Sequence, residues 1–244
     1  MRLSCIYRTK QIPEAYQMMF VSLIKECLNK TDKEYYEKVY KYNNEKNNKK
    51  PKNFCFSVYM KGFEKEGSIF KIQDKVILNI SSPDYEFILK VYNGLLSLKE
   101  FKYKDFSINK VKINLIKEKN INKNRVVFNT LSPMYIKDKN NNPVSIEDEN
   151  YEKELNYITN ESLKGYRGTG LKESLKFKPI KMKKKVVKEN IRGFREKTNK
   201  IYCYVNSYSG IFELCGDVSD LQDIYMLGIG FKRGQGFGML EFIE

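Results

Sequence analysis

Lysine, arginine and tyrosine side chains give this chain groups that can bind negative charge or move a proton. Its 244 residues include 45 lysines and arginines against 30 aspartates and glutamates, and no histidine. Ser-His-Asp catalysis, histidine-ligated zinc and proton transfer by imidazole are therefore excluded. The net charge of +15 favours a polyanionic partner, because lysines and arginines that neutralise phosphates release counterions. An enzyme acting on a neutral metabolite is correspondingly less favoured.

The densest positive charge lies at residues 172–188, where eight of 17 residues are lysines. Spread over a β-hairpin, these side chains would form a cationic arm that binds phosphates. The residues expected to make those contacts are Lys183, Lys184, Lys185 and Arg192. The alternative is a solvated edge strand that its lysines protect from aggregation.

A glycine-rich run, LGIGFKRGQGFGMLEF, occupies residues 227–242. Glycine lets backbone N–H groups approach a phosphate closely. The expected phosphate contacts here are Gly228, Gly230, Lys232, Arg233, Gly234, Gln235, Gly236 and Gly238. The run is not a P-loop, since the chain has no Gly-Lys dipeptide, and a nucleotide cofactor is not expected.

The five cysteines are odd in number and contain no C-x-x-C pair. We expect reduced thiols buried in the core, with no zinc cluster, disulfide framework or other cofactor. No apolar run approaches the roughly 18 residues that span a membrane. The N-terminus has no signal-peptide pattern, so we expect a cytoplasmic protein with no membrane partner.

The elements that must position these residues follow from hydrophobic periodicity. In the first half, an apolar run at residues 3–7 precedes a helix whose buried stripe runs from Tyr16 to Cys27. Strands follow at 54–60 and 75–80, and then a helix capped by Ser82. A last strand pair at 106–115 changes phase near Val111, as a bulge would produce.

The second half reads as a looser copy. It has a strand at 126–131, a helix carrying Tyr151, Leu155 and Ile158, strands at 175–187, 201–206 and 211–214, and a helix from Asp217. Residues 29–53 are expected to form a helix extension followed by a mobile basic loop, and residues 117–125 a linker. The predicted class is α+β, with two tandem ferredoxin-like, RRM-like β-α-β-β-α-β domains at 1–120 and 121–244.

Three segments together resemble one family. They are the glycine-rich run, NTLSP at residues 129–133, and KKPKNFCFSVYM at residues 49–60. The combination is similar to the Cas6 family of the RAMP superfamily, CRISPR-associated endoribonucleases that cut precursor RNA within each repeat. The glycine-rich signature is specific, while the other two segments support it.

The resemblance implies two ferredoxin-like domains that grip CRISPR repeat RNA. It also implies metal-independent cleavage, in which a ribose 2′-hydroxyl attacks the adjacent phosphate and leaves a 2′,3′-cyclic phosphate and a 5′-hydroxyl. Most members place a histidine between the first helix and the Pro-Lys strand, and this chain has none. Either other groups do that work or catalysis is lost.

The resemblance also suggests which residues act. Lys52 matches the family's supporting lysine and is expected to stabilise the phosphorane. Lys46 lies at about the place of the missing histidine, with Tyr40 and Tyr42 upstream as acid or base. Alternatively, Lys46 and these tyrosines line a solvated loop. Lys25 has the least weight, because it sits about 180 degrees from the buried stripe of its helix.

Three functions remain open from the sequence. The first is a guide-RNA-maturing endoribonuclease, and the second a catalytically silent RNA-binding subunit of a CRISPR effector complex. The third is a housekeeping RNA-binding protein, because Gly236, Phe237, Gly238 and Phe242 fit four positions of the RNP1 signature. That signature normally precedes a further helix and strand. Effector-complex subunits and a second copy of the chain are left open as partners.

Overall fold

The structure, a computed structural model, describes residues 1–40 and 51–243 and contains two antiparallel sheets. The strands are β1 Arg2–Arg8, β2 Gln11–Pro13, β3 Cys55–Glu66, β4 Ile69–Ser81, β5 Glu100–Tyr103, β6 Phe106–Ile116, β7 Arg125–Thr130, β8 Lys176–Glu189, β9 Cys203–Cys215 and β10 Leu240–Phe242. The helices are α1 Gln17–Thr31, α2 Lys33–Tyr40, α3 Tyr85–Ser97, α4 Tyr151–Arg167, α5 Arg192–Thr198 and α6 Val218–Leu227, and a 3₁₀ turn spans Arg233–Gln235.

Both sheets share one strand order. The second sheet runs β10-β7-β9-β8, and the first contains the equivalent series β6-β1-β4-β3, with β2 and β5 added at its margins. In each set the fourth strand lies beside the first, with a helix after the first and third strands. This is the ferredoxin-like β-α-β-β-α-β arrangement. The predicted α+β class with two ferredoxin-like units is confirmed.

The first core lies between its sheet and helices α1 and α3. Alternate β1 residues Leu3, Cys5 and Tyr7 are buried against these helices. The helices cross closely at Gly94, where an added Cβ would lie 2.5 Å from the Cα of Cys27. Only glycine permits that approach, so α1 has a fixed position from which its outer face meets the second half of the chain.

The second core lies between its sheet and helices α4 and α6. Its aromatic centre is Phe128, whose ring packs against Phe212 and stacks on Tyr225. Helix α6 is capped by Asp217, whose side chain accepts from the backbone N–H groups of Ser219 and Asp220. This cap fixes the start of the helix that leads directly into the glycine-rich run, as the sequence predicted.

Polar contacts join the two halves. The buried guanidinium of Arg2 donates to the Leu240 carbonyl at 2.7 Å, pairs with Glu241 at 3.1 Å and lies 4.5 Å from the centre of the Tyr225 ring. The Ser132 hydroxyl donates to the Phe56 carbonyl at 3.1 Å. These contacts join β1 to β10 and β3 to the segment that follows β7.

Several predicted details are confirmed and others are wrong. Strand β6 has the expected bulge, since β1 pairs with Lys110 and Lys112 and leaves out Val111. Helix α3 is capped by Asp84, which accepts from Phe87 N–H, two residues beyond the predicted Ser82. The Ser82 hydroxyl instead accepts from the Asp84 N–H at 3.0 Å and shapes the turn before the helix.

Two segments differ from the prediction in how their elements are divided. Residues 33–40, in the stretch predicted as a helix extension followed by a basic loop, form a separate helix, α2. The strands predicted at 201–206 and 211–214 are one strand of 13 residues, β9. Its polar middle belongs to the ladder because the buried Ser207 donates to the Lys185 carbonyl. Helix α5, between β8 and β9, was not predicted.

The cysteines differ in burial. Cys5, Cys27 and Cys55 are buried as expected, but Cys203 and Cys215 are half-buried. Both half-buried cysteines lie at the ends of β9, where neighbouring strands cover less of the surface. Among residues 1–40 and 51–243, no helix is long and apolar enough to cross a membrane.

Candidate active site and nucleic-acid interface

A cavity of about 380 Å³ lies between the two halves. The first half contributes the outer face of α1, Tyr40 and the Pro51–Lys52 dipeptide, and the second contributes α4 and the glycine-rich run. The charged side chains lining it are Lys25, Lys52, Lys232 and Arg233. No acidic side chain lines it among the residues that the structure describes. The cavity is therefore suited to an anion.

Lys52 lies at the centre of this cavity. Its Nζ donates to the Val39 carbonyl at 2.5 Å and lies 5.2 Å from the centre of the Tyr40 ring. Burial lowers the pKa of Lys52 to about 8, and the nearby positive charge of Lys25 contributes to the shift. Lys52 thus has an accessible neutral form close to physiological pH.

Lys25 lies over the same ring, with its Nζ 4.7 Å from the centre of Tyr40. Burial lowers the pKa of Lys25 as well. Although the buried stripe of α1 gives Lys25 little weight as a candidate, this lysine lines the cavity, because α1 has a second covered face. Met18, Val21 and Lys25, spaced i, i+3 and i+7, all line the cavity. That second spacing was the available signal.

Tyr40 is better suited to bind the two lysine ammonium groups than to act as a base. Burial raises the pKa of its phenol well above the usual value, so a phenolate is not accessible near neutral pH. Its ring face attracts both ammonium groups instead. The other predicted acid–base candidates, Tyr42 and Lys46, lie outside the described residues.

The glycines of the run fit close backbone packing within the protein. Gly228, Gly230, Gly236 and Gly238 all have positive φ. A Cβ on Gly238 would lie 1.8 Å from the Ile229 carbonyl oxygen, and one on Gly236 would lie 2.9 Å from the Phe56 ring. The positions predicted to face phosphate are therefore also positions where the chain turns against its own backbone and against β3.

Gly234 brings the run against the candidate catalytic lysine. A Cβ at this position would lie 3.1 Å from Cγ of Lys52 and 3.2 Å from the Phe54 ring. Among the described residues, the Gly234 backbone N–H has no hydrogen-bond partner. Of the glycines in the run, Gly234 is thus placed beside Lys52 with an available donor.

Arg233 and Phe237 are less accessible than their motifs suggested. Arg233 is 3% exposed, donates to the Leu227 carbonyl at 3.0 Å, and has a pKa lowered to about 10 by burial. Phe237 is fully buried beside Tyr135 and Val187. The aromatic ring of the RNP1-like signature is therefore not placed to stack on a base.

The three predicted lysines of the arm lie on two faces of edge strand β8. Its pairing with β9 is regular from Lys181 to Glu189, so side chains alternate along this stretch. Lys183 and Lys185 share the face of Val187, which packs against Phe237 of the glycine-rich run. Lys184 points to the opposite face.

Two charged residues at the C-terminal end of the arm, Arg192 and Lys188, have different surroundings. Arg192 is exposed and pairs with Glu196 at 2.7 Å within α5. Lys188 is bound to Glu14 of the first half at 2.6 Å, which fixes β8 against that half. Lys183, Lys184 and Lys185, which precede both Lys188 and Arg192 in the chain, are exposed to solvent. Within the described ranges, no cluster of three or more Cys, Asp or Glu side chains could hold a metal ion.

Comparisons with known proteins agree with this fold. The model of the family described as CRISPR associated protein Cas6, C-terminal, matches residues 116–242. A Cas6-related protein of Pyrococcus furiosus is similar in structure, with a TM-score of 0.82 and 22% identity, covering 100% of this chain and 98% of that one. A RAMP protein described as binding different RNA substrates has a TM-score of 0.80 and 22% identity over the full length of both chains.

A structure described as a Cas6 product complex has a TM-score of 0.71 at 10% identity, covering 99% of each chain. At these identities the likeness shows the fold. A comparison with curated proteins finds no match.

Proposed function

Because this chain belongs to the Cas6 family of CRISPR-associated proteins, we propose that it is an endoribonuclease that cuts CRISPR precursor RNA within its repeats and so produces mature guide RNA. The observation that carries the proposal is the pair of lysines over Tyr40, in a cationic cavity closed by the glycine-rich run. The charge of +15 supports a nucleic-acid partner.

The proposed reaction is attack by a ribose 2′-hydroxyl on the adjacent phosphate. The O2′–P bond forms and the P–O5′ bond breaks, which leaves a 2′,3′-cyclic phosphate and a 5′-hydroxyl. The reaction needs a base for the 2′-hydroxyl proton, positive charge near the phosphorane, and a proton for the leaving oxygen. No step requires a metal ion.

Lys52 and Lys25 divide these tasks. With a pKa of about 8, about one tenth of Lys52 is neutral at pH 7 and can accept the 2′-hydroxyl proton. Lys25 remains the ammonium that stabilises the phosphorane and supplies a proton to the 5′-oxygen. This extends the sequence-based proposal, in which Lys52 acts only as a positive charge. Lys46 and Tyr42 remain candidates for sharing the proton transfers.

RNA is held by the surface that leads to the cavity. Lys183 and Lys185 are exposed on the β8 face that turns toward the glycine-rich run. Gly234 offers a backbone N–H at the cavity itself. A strand of RNA crossing from β8 to Lys52 would meet positive charge along this path.

A catalytically silent RNA-binding subunit is the second candidate. The complete lack of histidine favours it, because lysine is a poorer general base than imidazole near pH 7. Binding would then use the same surface without cleavage.

One experiment separates the two candidates. Purified protein is incubated with end-labelled CRISPR repeat RNA in excess chelator at pH 8, and the products are resolved by electrophoresis. We expect one cut within the repeat and a fragment whose cyclic phosphate resists phosphatase until acid opens it. RNA that is bound tightly but stays intact for hours would replace the enzyme with the silent subunit.

A further inference from the structure

The side-chain amide of Gln235 lines the same cavity as Lys52, with one end fixed by the protein. Its Oε1 is 3.2 Å from the Nζ of Lys232. An ammonium group only donates hydrogen bonds, so the amide atom that faces it must be the oxygen. The Nε2, with its two N–H donors, therefore points away from Lys232.

That nitrogen is available to a ligand. Among the described residues, the Gln235 Nε2 has no hydrogen-bond partner. It is also not one of the fully buried atoms without a partner, so solvent or a ligand can reach it. Gln235 and Lys52 line the same cavity. The neighbouring residue, Gly234, is packed against the Lys52 side chain, so the amide is held close to the lysine.

Glu189 fixes Lys232 in turn. The Glu189 side chain is fully buried, and its Oε2 accepts from the Lys232 Nζ at 2.5 Å. Its other oxygen has no partner among the described residues. A buried carboxylate in this state is costly to maintain. Its one polar contact is with Lys232, which indicates that holding this ammonium is its role.

Glu189 is also the last residue of β8, the strand that carries Lys183 and Lys185 on the same face. The series Glu189, Lys232, Gln235 thus connects the end of the lysine-rich strand to the cavity. Glu189 orients the Lys232 ammonium, and Lys232 orients the Gln235 amide. Among the described residues, the two N–H donors of that amide have no partner.

We propose that Gln235 donates a hydrogen bond from Nε2 to a non-bridging oxygen of the phosphate being cut, and that Glu189 and Lys232 are positioning residues for this amide. This inference rests on the proposed function. The contact strengthens as negative charge builds up on the phosphorane, because a preoriented amide donor stabilises the transition state more than the ground state. The effect belongs to the cleavage step rather than to RNA affinity.

The first test replaces Gln235 with leucine, which keeps the size and removes the donors. We expect Gln235→Leu to lose on the order of a hundredfold in single-turnover cleavage rate, with repeat-RNA affinity within threefold. Gln73→Leu, at an exposed position on β4, is the matched control and should cut normally. Thermal unfolding, followed by circular dichroism, checks that each variant is folded.

The second test is a double-mutant cycle. If Glu189 acts through the amide, Glu189→Gln slows cleavage in the wild type but adds no further loss in the Gln235→Leu background. Lys232→Met should behave in the same way and serves if the buried Glu189 variant does not fold. Additive losses would assign these residues a structural role and overturn the positioning inference.

The outcomes separate the two proposals. If the wild type cuts and Gln235→Leu cuts at the same rate, only the inference on Gln235 is overturned. If Gln235→Leu loses affinity and rate equally, the amide binds RNA without a special role in the cleavage step. If the wild type leaves the RNA intact, the endoribonuclease function and this inference both fail.

Discussion

Lys25 and Lys52 lie over one aromatic ring, so the charge on either affects the other. Burial lowers the pKa of both, and for Lys52 it reaches about 8. A pair of this kind can hold one ammonium and one neutral amine at a pH where isolated lysines are both charged. In the proposed mechanism, that division supplies acid and base without a histidine.

The first prediction concerns the pH dependence of cleavage. The neutral fraction of Lys52 rises with pH, so the single-turnover rate should rise about tenfold per pH unit below 7 and level off above about 8. Lys52→Ala should lose on the order of a hundredfold in rate while affinity changes only a fewfold. Rates measured in chelator between pH 6 and 9 check both.

Lys52→Arg separates the two roles considered for Lys52. Arginine keeps the positive charge but does not deprotonate near neutral pH. If Lys52 is the base, the variant is inactive. An active Lys52→Arg variant, or a wild-type rate that falls above pH 8, would assign Lys52 to phosphorane stabilisation alone.

The second prediction concerns Lys25. Removing its positive charge in Lys25→Met should raise the pKa of Lys52, because one cause of its lowering is lost. The midpoint of the pH profile should move to higher pH, and the maximal rate should fall. Lys25→Arg keeps the charge and should leave the midpoint in place. An unchanged midpoint in Lys25→Met would show that the two lysines are not coupled.

Single residues differ in how far the sequence could predict them. A local motif, Pro51-Lys52 before an aromatic strand, pointed to Lys52, and this residue lines the cavity. Lys25 received little weight because its second covered face exists only when the glycine-rich run packs on α1. In the Glu189–Lys232–Gln235 series, Glu189 and Lys232 are 43 positions apart in the chain, and no local pattern reports such a contact.

Among the elements, the glycine-rich run depends most strictly on backbone geometry. Five of its residues, four glycines and Lys232, have positive φ, and the run packs against β3 and α1. These turns bring Gly234 and Gln235 to Lys52. A side chain at a tight turn would therefore disturb both the fold of the run and the cavity.

The third prediction tests this requirement. Gly238→Ala combines a strained φ with a Cβ 1.8 Å from the Ile229 carbonyl oxygen, so it should cost more than about 3 kcal/mol of folding stability. Gly193→Ala, where no atom lies within 4 Å of the new Cβ and φ is not positive, should stay within about 0.5 kcal/mol. Urea unfolding followed by circular dichroism gives both values.

If the Gly238→Ala variant is as stable as the wild type, backbone crowding is not the reason that position 238 is a glycine. Gly236→Val is expected to be intermediate, because the atoms its Cβ would meet belong to the Phe56 ring and the Gln17 side chain rather than to backbone. For this variant, RNA affinity measured on folded protein separates a binding effect from a folding effect.

Periodicity predicted most elements because their apolar residues follow a single face. It failed where a polar residue has a partner that lies far away in sequence. The middle of β9 looked like a break because of Ser207 and Gly210, yet Ser207 is satisfied by the Lys185 carbonyl. The cap of α3 was misplaced because Ser82 and Asp84 both suit a cap, and only the turn geometry decides between them.

In the molecule as a whole, two similar folds are joined so that neither contains the candidate site alone. Arg2 connects β1 to β10 and the Tyr225 ring, and Glu14 binds Lys188 at the end of β8. These contacts fix the distance between Lys52 in one half and Gln235 in the other. The division of the chain near residue 120 stays a prediction.

The positive charge of the molecule leads to the fourth prediction. Because side chains alternate along β8, Lys183 and Lys185 face the glycine-rich run and Lys184 does not. Each phosphate contact on single-stranded RNA contributes a slope of roughly 0.7 in log K against log salt. The double variant Lys183→Gln/Lys185→Gln should therefore weaken RNA affinity and flatten the slope by up to about 1.4.

Lys184→Gln is the matched control with the same chemistry on the opposite face, and it should leave the slope within error. Fluorescence anisotropy with labelled repeat RNA between 50 and 300 mM salt, roughly the range over which such contacts weaken, measures both. Equal flattening by Lys184→Gln would mean that the arm attracts RNA only through its total charge, and an unchanged slope in the double variant would place the RNA path elsewhere.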